Sequence, residues 1–543
     1  MLTPPSPRTI RPSQACRPAF SITARTSSAS VASQPKKSLF QELQRQLSFR
    51  FDEASQVLKN APHMLLDAIV DSTFKFTDQA LLPSESNFAP VDEICGPINL
   101  LQIEGEIPKD FPQGVYIRNV SNHAMQLRFG KVNKSISNTN VFEHQARLYA
   151  ITESHQPEEI CIQNLETGKT WDIQREWDRP CTSHPKVAPG SGELVIFGSD
   201  AKRPFLVVGV VSDDGTKLKH KVDLKLDRPT LCHDIGVTLK YNIIMDLPLT
   251  ADIGRVTTGG QLIEFEKEGY ARIGVMPRYG DAESVMWFDV EPCCMFHLIN
   301  CFEDGNEVVV QGLCSADSII PGPRLNKHDM IPQRSELTSN GKTMKRGIDE
   351  KFFSRLYEWR LNLERKTVAV EYLTGTEWSL EFPTINNHYT GVHHSYAYAQ
   401  IVDSLRSGGS SERVLPKYGG FAKLCLEERE NATKIPTEDL IKMEIHPLDE
   451  DQFCSGTSFV PRVGGSHEDD GWIISFVHNE RTNISQVHII DTQEFEGPPS
   501  FAASLEDLLG WKETLESFKP MGMDVVFMRW GVNDLHGLLS SLS

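Results

Sequence analysis

Beyond Glu93 the chain reads as brief apolar runs cut off by Gly, Asp or Asn. Examples are GELVIFG from Gly192, FLVVGVVSDDG from Phe205, YNIIMDLPL from Tyr241, EVVVQGL from Glu307, WIISFV from Trp472 and QVHIID from Gln486. Runs this short, dense in β-branched residues and closed by turn formers, predict strands rather than helices. Their recurrence along the rest of the chain predicts an all-β architecture, either a β-propeller or a large sandwich. No internal repeat is strong enough to count blades. Helical spacing is confined to inserts such as DEKFFSRLYEWRL (349–361) and SLEDLLGWKETLESF (504–518), which are expected to cap one face of the sheets.

Ahead of the strands the period changes. LFQELQRQLSFRFDEASQVL and APHMLLDAIVDSTFKF place apolar residues three and four apart, predicting an amphipathic helical extension over 39–90. Its polar faces mix acids with bases, so it either packs on the core or makes peripheral contact with a membrane. Residues 1–38 differ again: they carry Arg8, Arg11, Arg17, Arg25, Lys36 and Lys37, are rich in Ser and Thr, and no acid precedes Glu42. That composition reads as a disordered transit peptide, and the excess of Ser and Thr over Arg points to the chloroplast rather than the mitochondrion. A plain disordered tail is the alternative reading.

Composition narrows the field. A chain of 543 residues buries a core without staples. A formal charge of −18 argues against nucleic acid, where binding rests on neutralising phosphates. No apolar run reaches the ~18 residues of a membrane-spanning helix. The 11 cysteines are scattered and include no Cys-x-x-Cys pair, which argues against structural zinc and for thiols in a reducing compartment.

Of the 17 histidines, four stand beside abrupt turns at strand ends: His184 in TSHPKVAPGSGEL, His233 in LCHDIGVTLKYNIIMD, His297 in MFHLINCFEDGNEVVV and His536 in DLHGLL. Taken singly, each is most simply a satisfied core histidine. No His-x-x-x-His helical pair exists, so a shared site has to be assembled in space, one residue per sheet around an axis, as a propeller does. Imidazole suits Fe, Zn, Cu or Ni, so ligand type alone does not name a metal. The pair His393–His394 in GVHHSYAYA is different. Neighbours on a strand face opposite ways and cannot both chelate one ion, which makes them structural or tunnel-lining.

GVYIRNVSNHA (114–124) resembles the Gly-Val-Tyr-x-Arg-Asn-Gly-Pro-Asn-Pro opening of the carotenoid cleavage dioxygenases, also called carotenoid oxygenases. TSHPKVAP, CHDIGVT and FHLINCFED resemble three ligand motifs of that family, and the final LHG resembles the fourth. The resemblance covers roughly residues 90 to 540. Within it, GQLIEFEKEGYARIGVMPRYGD and RFGKVNKSISNTNVFEH are most similar to the plant zaxinone synthase branch.

The resemblance implies a seven-bladed β-propeller over residues 91–543 with an axial Fe(2+) held by His184, His233, His297 and His536. It also implies glutamates that accept the outer N–H of three of the four imidazoles, matched here by Glu153, Glu381 and Glu468. The implied reaction inserts both atoms of O2 across one alkene bond of an apolar polyene, giving two carbonyl products. No titratable side chain is called on as an acid or base. A zaxinone-synthase-like member would take a hydroxylated apocarotenoid, and an apolar tunnel would set which bond is cut. Apolar side chains around MWFDVEP and EFPTINNHY are candidates for its walls.

Two departures from the family pattern stand out. After RNVSNHA the chain passes straight to MQLRFGKVNKSISN, where the family has a much longer stretch. A blade takes about 40–45 residues, and the shortening near 120–135 exceeds that, so an incomplete ring with exposed sheet edges is expected. At the other end, SFAASLEDLLGWKETLESFKPMGMDVVFMRWGVNDLHG replaces a short strand and a VPYGFHG-like signature around His536. The alternative to an active enzyme is therefore an impaired member that binds apocarotenoid or a partner. A histidine-metal hydrolase, using zinc and needing no O2, is a third reading.

Overall fold

The computed structural model describes residues 100–119, 140–151, 156–161, 167–252, 254–255, 263–316, 337–339, 342–344, 353–403, 417–429, 439–505 and 525–530. The expected transit segment, the helical extension over 39–90 and the shortened stretch near 120–135 lie outside these residues.

Six antiparallel sheets of four or five strands follow one another among the described residues, each a simple meander. Blade 1 is Asn140–His144, Arg147–Ile151, Glu158–Ile160 and Thr167–Thr170. Blade 2 is Lys186–Val187, Leu194–Ser199, Leu206–Val211 and Leu218–Asp223. Blade 3 is Gly236–Val237, Tyr241–Asp246, Ala271–Pro277 and Met286–Val290. Blade 4 is Cys294–Asp304, Glu307–Ser315, Ser354–Asn362 and Thr367–Tyr372. Blade 5 is Leu380–Thr384, Tyr396–Val402, Tyr418–Arg429 and Ile441–Pro447. Blade 6 is Gln452–Pro461, Gly471–Asn479, Ile484–Asp491 and Phe501–Leu505, with Leu100–Gly105 added to its outer edge from the N-terminal side.

The middle strands of a blade are apolar without alternation because each blade is packed between two others. Leu206–Val211 is buried along its whole length, whereas the outermost strand Leu218–Asp223 alternates. The cores accordingly lie between sheets. Val195, Phe197 and Val208 of blade 2 meet Ile244 and Met276 of blade 3. Ile243, Ile273 and Val275 meet Val308, Val310 and Trp359 of blade 4. Leu313 and Leu356 meet Leu380, Ala399 and Leu424 of blade 5. Tyr398 and Phe421 meet Cys454, Ile473 and Ile490 of blade 6. Full burial of one such side chain stabilises by roughly 1.5–3 kcal/mol, so most of the fold's stability comes from these seams.

Two sequence expectations change. The insert 349–361, read as helical, supplies the strand Ser354–Asn362 of blade 4. Phe353, Leu356, Tyr357 and Leu361 are spaced like a helix face, but a strand covered on both sides needs no alternation, so the period misleads. Of the other insert, Ser504 and Leu505 belong to blade 6, and the remainder lies outside the described residues. Where seven blades are expected, the described residues hold six sheets of blade size and a separate two-stranded pair, Gly114–Asn119 with Val525–Trp530. Tyr116 of that pair enters the core of blade 6 beside Trp472 and Phe476, and its strand also neighbours the first strand of blade 1. The pair thus lies between the last blade and the first.

The first strands of blades 2 to 6 touch one another in succession, which places them around the axis. Gly236 permits one of these approaches: a Cβ built there would collide with the sulfur of Cys301 in blade 4. The described cysteines form no disulfide, and the Cys293 and Cys314 thiols pass within 3.3 Å.

Candidate metal centre

Three of the four candidate histidines enter along these axial strands. His184 ends the loop before Lys186–Val187, and His233 ends the loop before Gly236–Val237. His297 lies within Cys294–Asp304, where the pairing with Glu307–Ser315 slips on either side of Leu298. A β-bulge at that point re-aims a side chain that would otherwise keep the pleat.

The three rings form a near-equilateral triangle. Centroids are 4.8 Å apart for His184–His233 and 5.0 Å for both other pairs, with interplanar angles of 64°, 89° and 82°. One ring nitrogen from each lies within 4.8 Å of the others, and His184 Nε2 is 3.1 Å from His233 Nε2. His297 Nδ1 donates to Glu381 Oε2 at 2.8 Å, which leaves its Nε2 as the lone-pair nitrogen. Burial, then the neighbouring imidazoles, hold His184 well below the ordinary histidine range, so this ring is neutral. Three imidazoles crowded nitrogen to nitrogen are well placed to share a cation. The donor set suits a borderline transition metal.

Glu381 sits where blade 5 begins, and it too is set by irregular backbone. Pairing slips between Glu381 and Thr384, and Phe382 adopts φ +49°. This turn lets Glu381 Oε2 accept from both His297 and the Phe382 N–H at 2.9 Å, while the Phe382 ring packs 4.9 Å from that of His297. Phe296 stands perpendicular to His233 at 5.1 Å. Phe382 is 42% exposed despite its apolar ring, so aromatic surface lies open beside the imidazoles. Around MWFDVEP the outcome differs: Phe288 is core between blades 3 and 4, and Trp287 stacks under Arg272.

The remaining candidates separate. Glu468 has backbone partners, accepting from Ser395 N at 2.8 Å and Tyr396 N at 2.8 Å. Burial raises its carboxyl above the ordinary range. None of the three gathered imidazoles is among these partners, so it ties blade 5 to the turn after Pro461. Glu153 and His536 lie outside the described residues. His393 and His394 diverge, but from the loop before the strand Tyr396–Val402 rather than from a strand: His393 reaches out to Glu427 at 3.6 Å, and His394 is buried on Gln311 Oε1 at 2.8 Å. A residue passed over in the sequence is Asp234, next to His233 in CHDIGVT, whose carboxylate is buried among the histidine-bearing segments.

A propeller whose axial strands bring three imidazoles, one anchored by a glutamate, to a single point has the donor set of a transition-metal site. The family model of the retinal pigment epithelial membrane protein, RPE65, matches residues 123–507; this chain belongs to the RPE65/carotenoid oxygenase family. The carotenoid 9,10(9',10')-cleavage dioxygenase 1 of Pisum sativum is 30% identical over 371 residues, 67% of this chain and 63% of that protein. The match thus spans somewhat under two thirds of that relative's length. Among solved structures, Pseudomonas brassicacearum lignostilbene dioxygenase superposes with a TM-score of 0.63 at 19% identity, covering 78% of this chain and 96% of the other. Cobalt-substituted Synechocystis ACO gives 0.57 at 18% identity, covering 75% and 92%.

Proposed function

We propose that this protein is a non-haem Fe(II) dioxygenase that cleaves one C=C bond of a carotenoid-derived polyene. In the net reaction the alkene and one O2 become two carbonyl products, one oxygen atom in each. The observation that carries the reading is the triangle of His184, His233 and His297 with Glu381 behind His297. A ferrous ion held there would supply the dioxygen chemistry. The chain's own residues do the rest. Glu381 fixes the His297 tautomer by accepting its Nδ1–H. Burial keeps His184 neutral, with its lone pair available. Phe296 and Phe382 offer an apolar flank suited to a conjugated chain and poor for a charged one. No side chain is assigned as general acid or base.

His536 completes the ligand set in this reading, with Glu153 and Glu468 as its further carboxylates, on the motif resemblance alone. The same resemblance favours a hydroxylated apocarotenoid and zaxinone-type products, and the basic, Ser-rich leader favours action in the chloroplast.

The test is anaerobic reconstitution with Fe(II), metal analysis, and incubation with a hydroxylated apocarotenoid under 18O2. The expected result is near-stoichiometric iron and two carbonyl products carrying one labelled oxygen each. Bound zinc with turnover in the absence of O2 would identify a hydrolase instead. Failure to retain any metal would leave a non-catalytic binding protein.

A further inference from the structure

Three ligand segments from three different blades have to meet to within about half an ångström for a metal site to work. The apolar seams between blades are non-directional and do not set that registration. One buried carboxylate touches all three segments. Asp234 is 3% exposed, follows His233 directly, and forms a parallel backbone bridge with His184. Its Oδ1 accepts from the Ile235 N–H at 2.8 Å and pairs with Lys186 Nζ at 3.0 Å, two residues after His184. Its Oδ2 accepts from the Leu298 N–H at 2.9 Å, the residue after His297, and lies 3.4 Å from the same Lys186 Nζ. Its own carbonyl accepts from the Cys232 thiol at 3.4 Å.

We propose that Asp234 is the positioning residue of the centre, one carboxylate strutting the His184, His233 and His297 segments against each other so that the triangle exists before metal arrives. Lys186 balances the charge, so the strut adds no net anion next to the imidazoles. The Leu298 tie falls at the bulge in blade 4 and holds the slipped register that aims His297 inward. This inference rests on the metal-centre reading above.

The test uses the full chain, with Co(II) as an optical probe titrated anaerobically and thermal unfolding of the metal-free protein followed in parallel. Asp234→Asn is expected to weaken Co(II) binding ~10–100-fold and to change its absorption bands. Lys186→Gln, which leaves the Leu298 tie, is expected to lose about threefold, less than a carboxylate partner's usual share. Asp246→Asn is the control: Asp246 is fully buried in blade 3 between Arg228 at 3.0 Å and Arg272 at 2.8 Å. It should lower the unfolding temperature and keep the wild-type Co(II) affinity and spectrum. Wild-type binding and spectrum in Asp234→Asn would overturn the inference, as would equal losses of affinity in Asp234→Asn and Asp246→Asn. If Asp234→Asn fails to fold, Lys186→Gln decides, and unaltered binding there overturns it. A wild-type chain that takes up neither Co(II) nor Fe(II) defeats the metal-centre reading and this inference together, whereas unaltered Asp234→Asn defeats the inference alone.

Discussion

Imidazoles at two places in this ring have opposite surroundings. At the axis, His184, His233 and His297 come from three blades and point nitrogens at one another, with the Glu381 carboxylate behind His297. Between blades 4 and 5, His394 is 2% exposed, and both of its nitrogens are engaged, Nε2 with Gln311 Oε1 at 2.8 Å and Nδ1 with the Tyr396 carbonyl at 3.2 Å. The chain continues from Gln311 Nε2 to Glu358 at 2.7 Å. Burial is therefore not what marks a candidate site. The mark is ring nitrogens from three blades converging on one point, whereas the nitrogens of His394 face separate protein oxygens.

The contrast has graded consequences for metal binding. His297→Ala is expected to abolish iron retention and cleavage while the chain stays soluble and folded; metal analysis and circular dichroism of the purified variant check it, and a variant that keeps both iron and activity would dissolve the triangle as a site. Glu381→Gln should retain the metal but loosen it about tenfold, the lower end of what a ligand's carboxylate partner contributes, read by chelator competition. His394→Gln should leave metal binding unchanged and act on stability alone.

That last variant has a pH signature. Burial brings His394 down to about 4, from an ordinary value near 6.5. Above pH 6.5 the ring is neutral in both folded and unfolded chains, and nothing is lost. As pH falls from 6.5 to 4 the unfolded chain takes up the proton first, so folded stability drops, by up to ~3 kcal/mol for this one group. Denaturant midpoints across that window should fall less steeply in His394→Gln than in the wild type. Parallel slopes would mean that His394 is not desolvated as described.

Much of this was readable in the linear chain, but unevenly. Turn residues beside His184 and His233 announced strand ends, whereas His393 and His394 diverge from a loop and not from the pleat expected of them. The gathering of His184, His233 and His297 needed the ring, which no local pattern counts. Two further details depended on register, the property that sequence specifies least directly: the bulge that turns His297 and the left-handed Phe382 that swings Glu381 behind it. The strand Ser354–Asn362 was misread because burial on both faces erases alternation. Asp234 was in plain view beside His233, and only the Leu298 and Lys186 contacts give it a role.

The edge strand Leu100–Gly105 carries a consequence for synthesis. It pairs with Phe501–Leu505, so it leaves the ribosome roughly 400 residues before its partner exists. At translation speeds of about 5–20 residues per second, that strand waits on the order of tens of seconds with its backbone amides unclaimed. The sixth blade is thus finished from the oldest end of the chain, and the nascent protein has good reason to be shielded by chaperones until its final strands emerge.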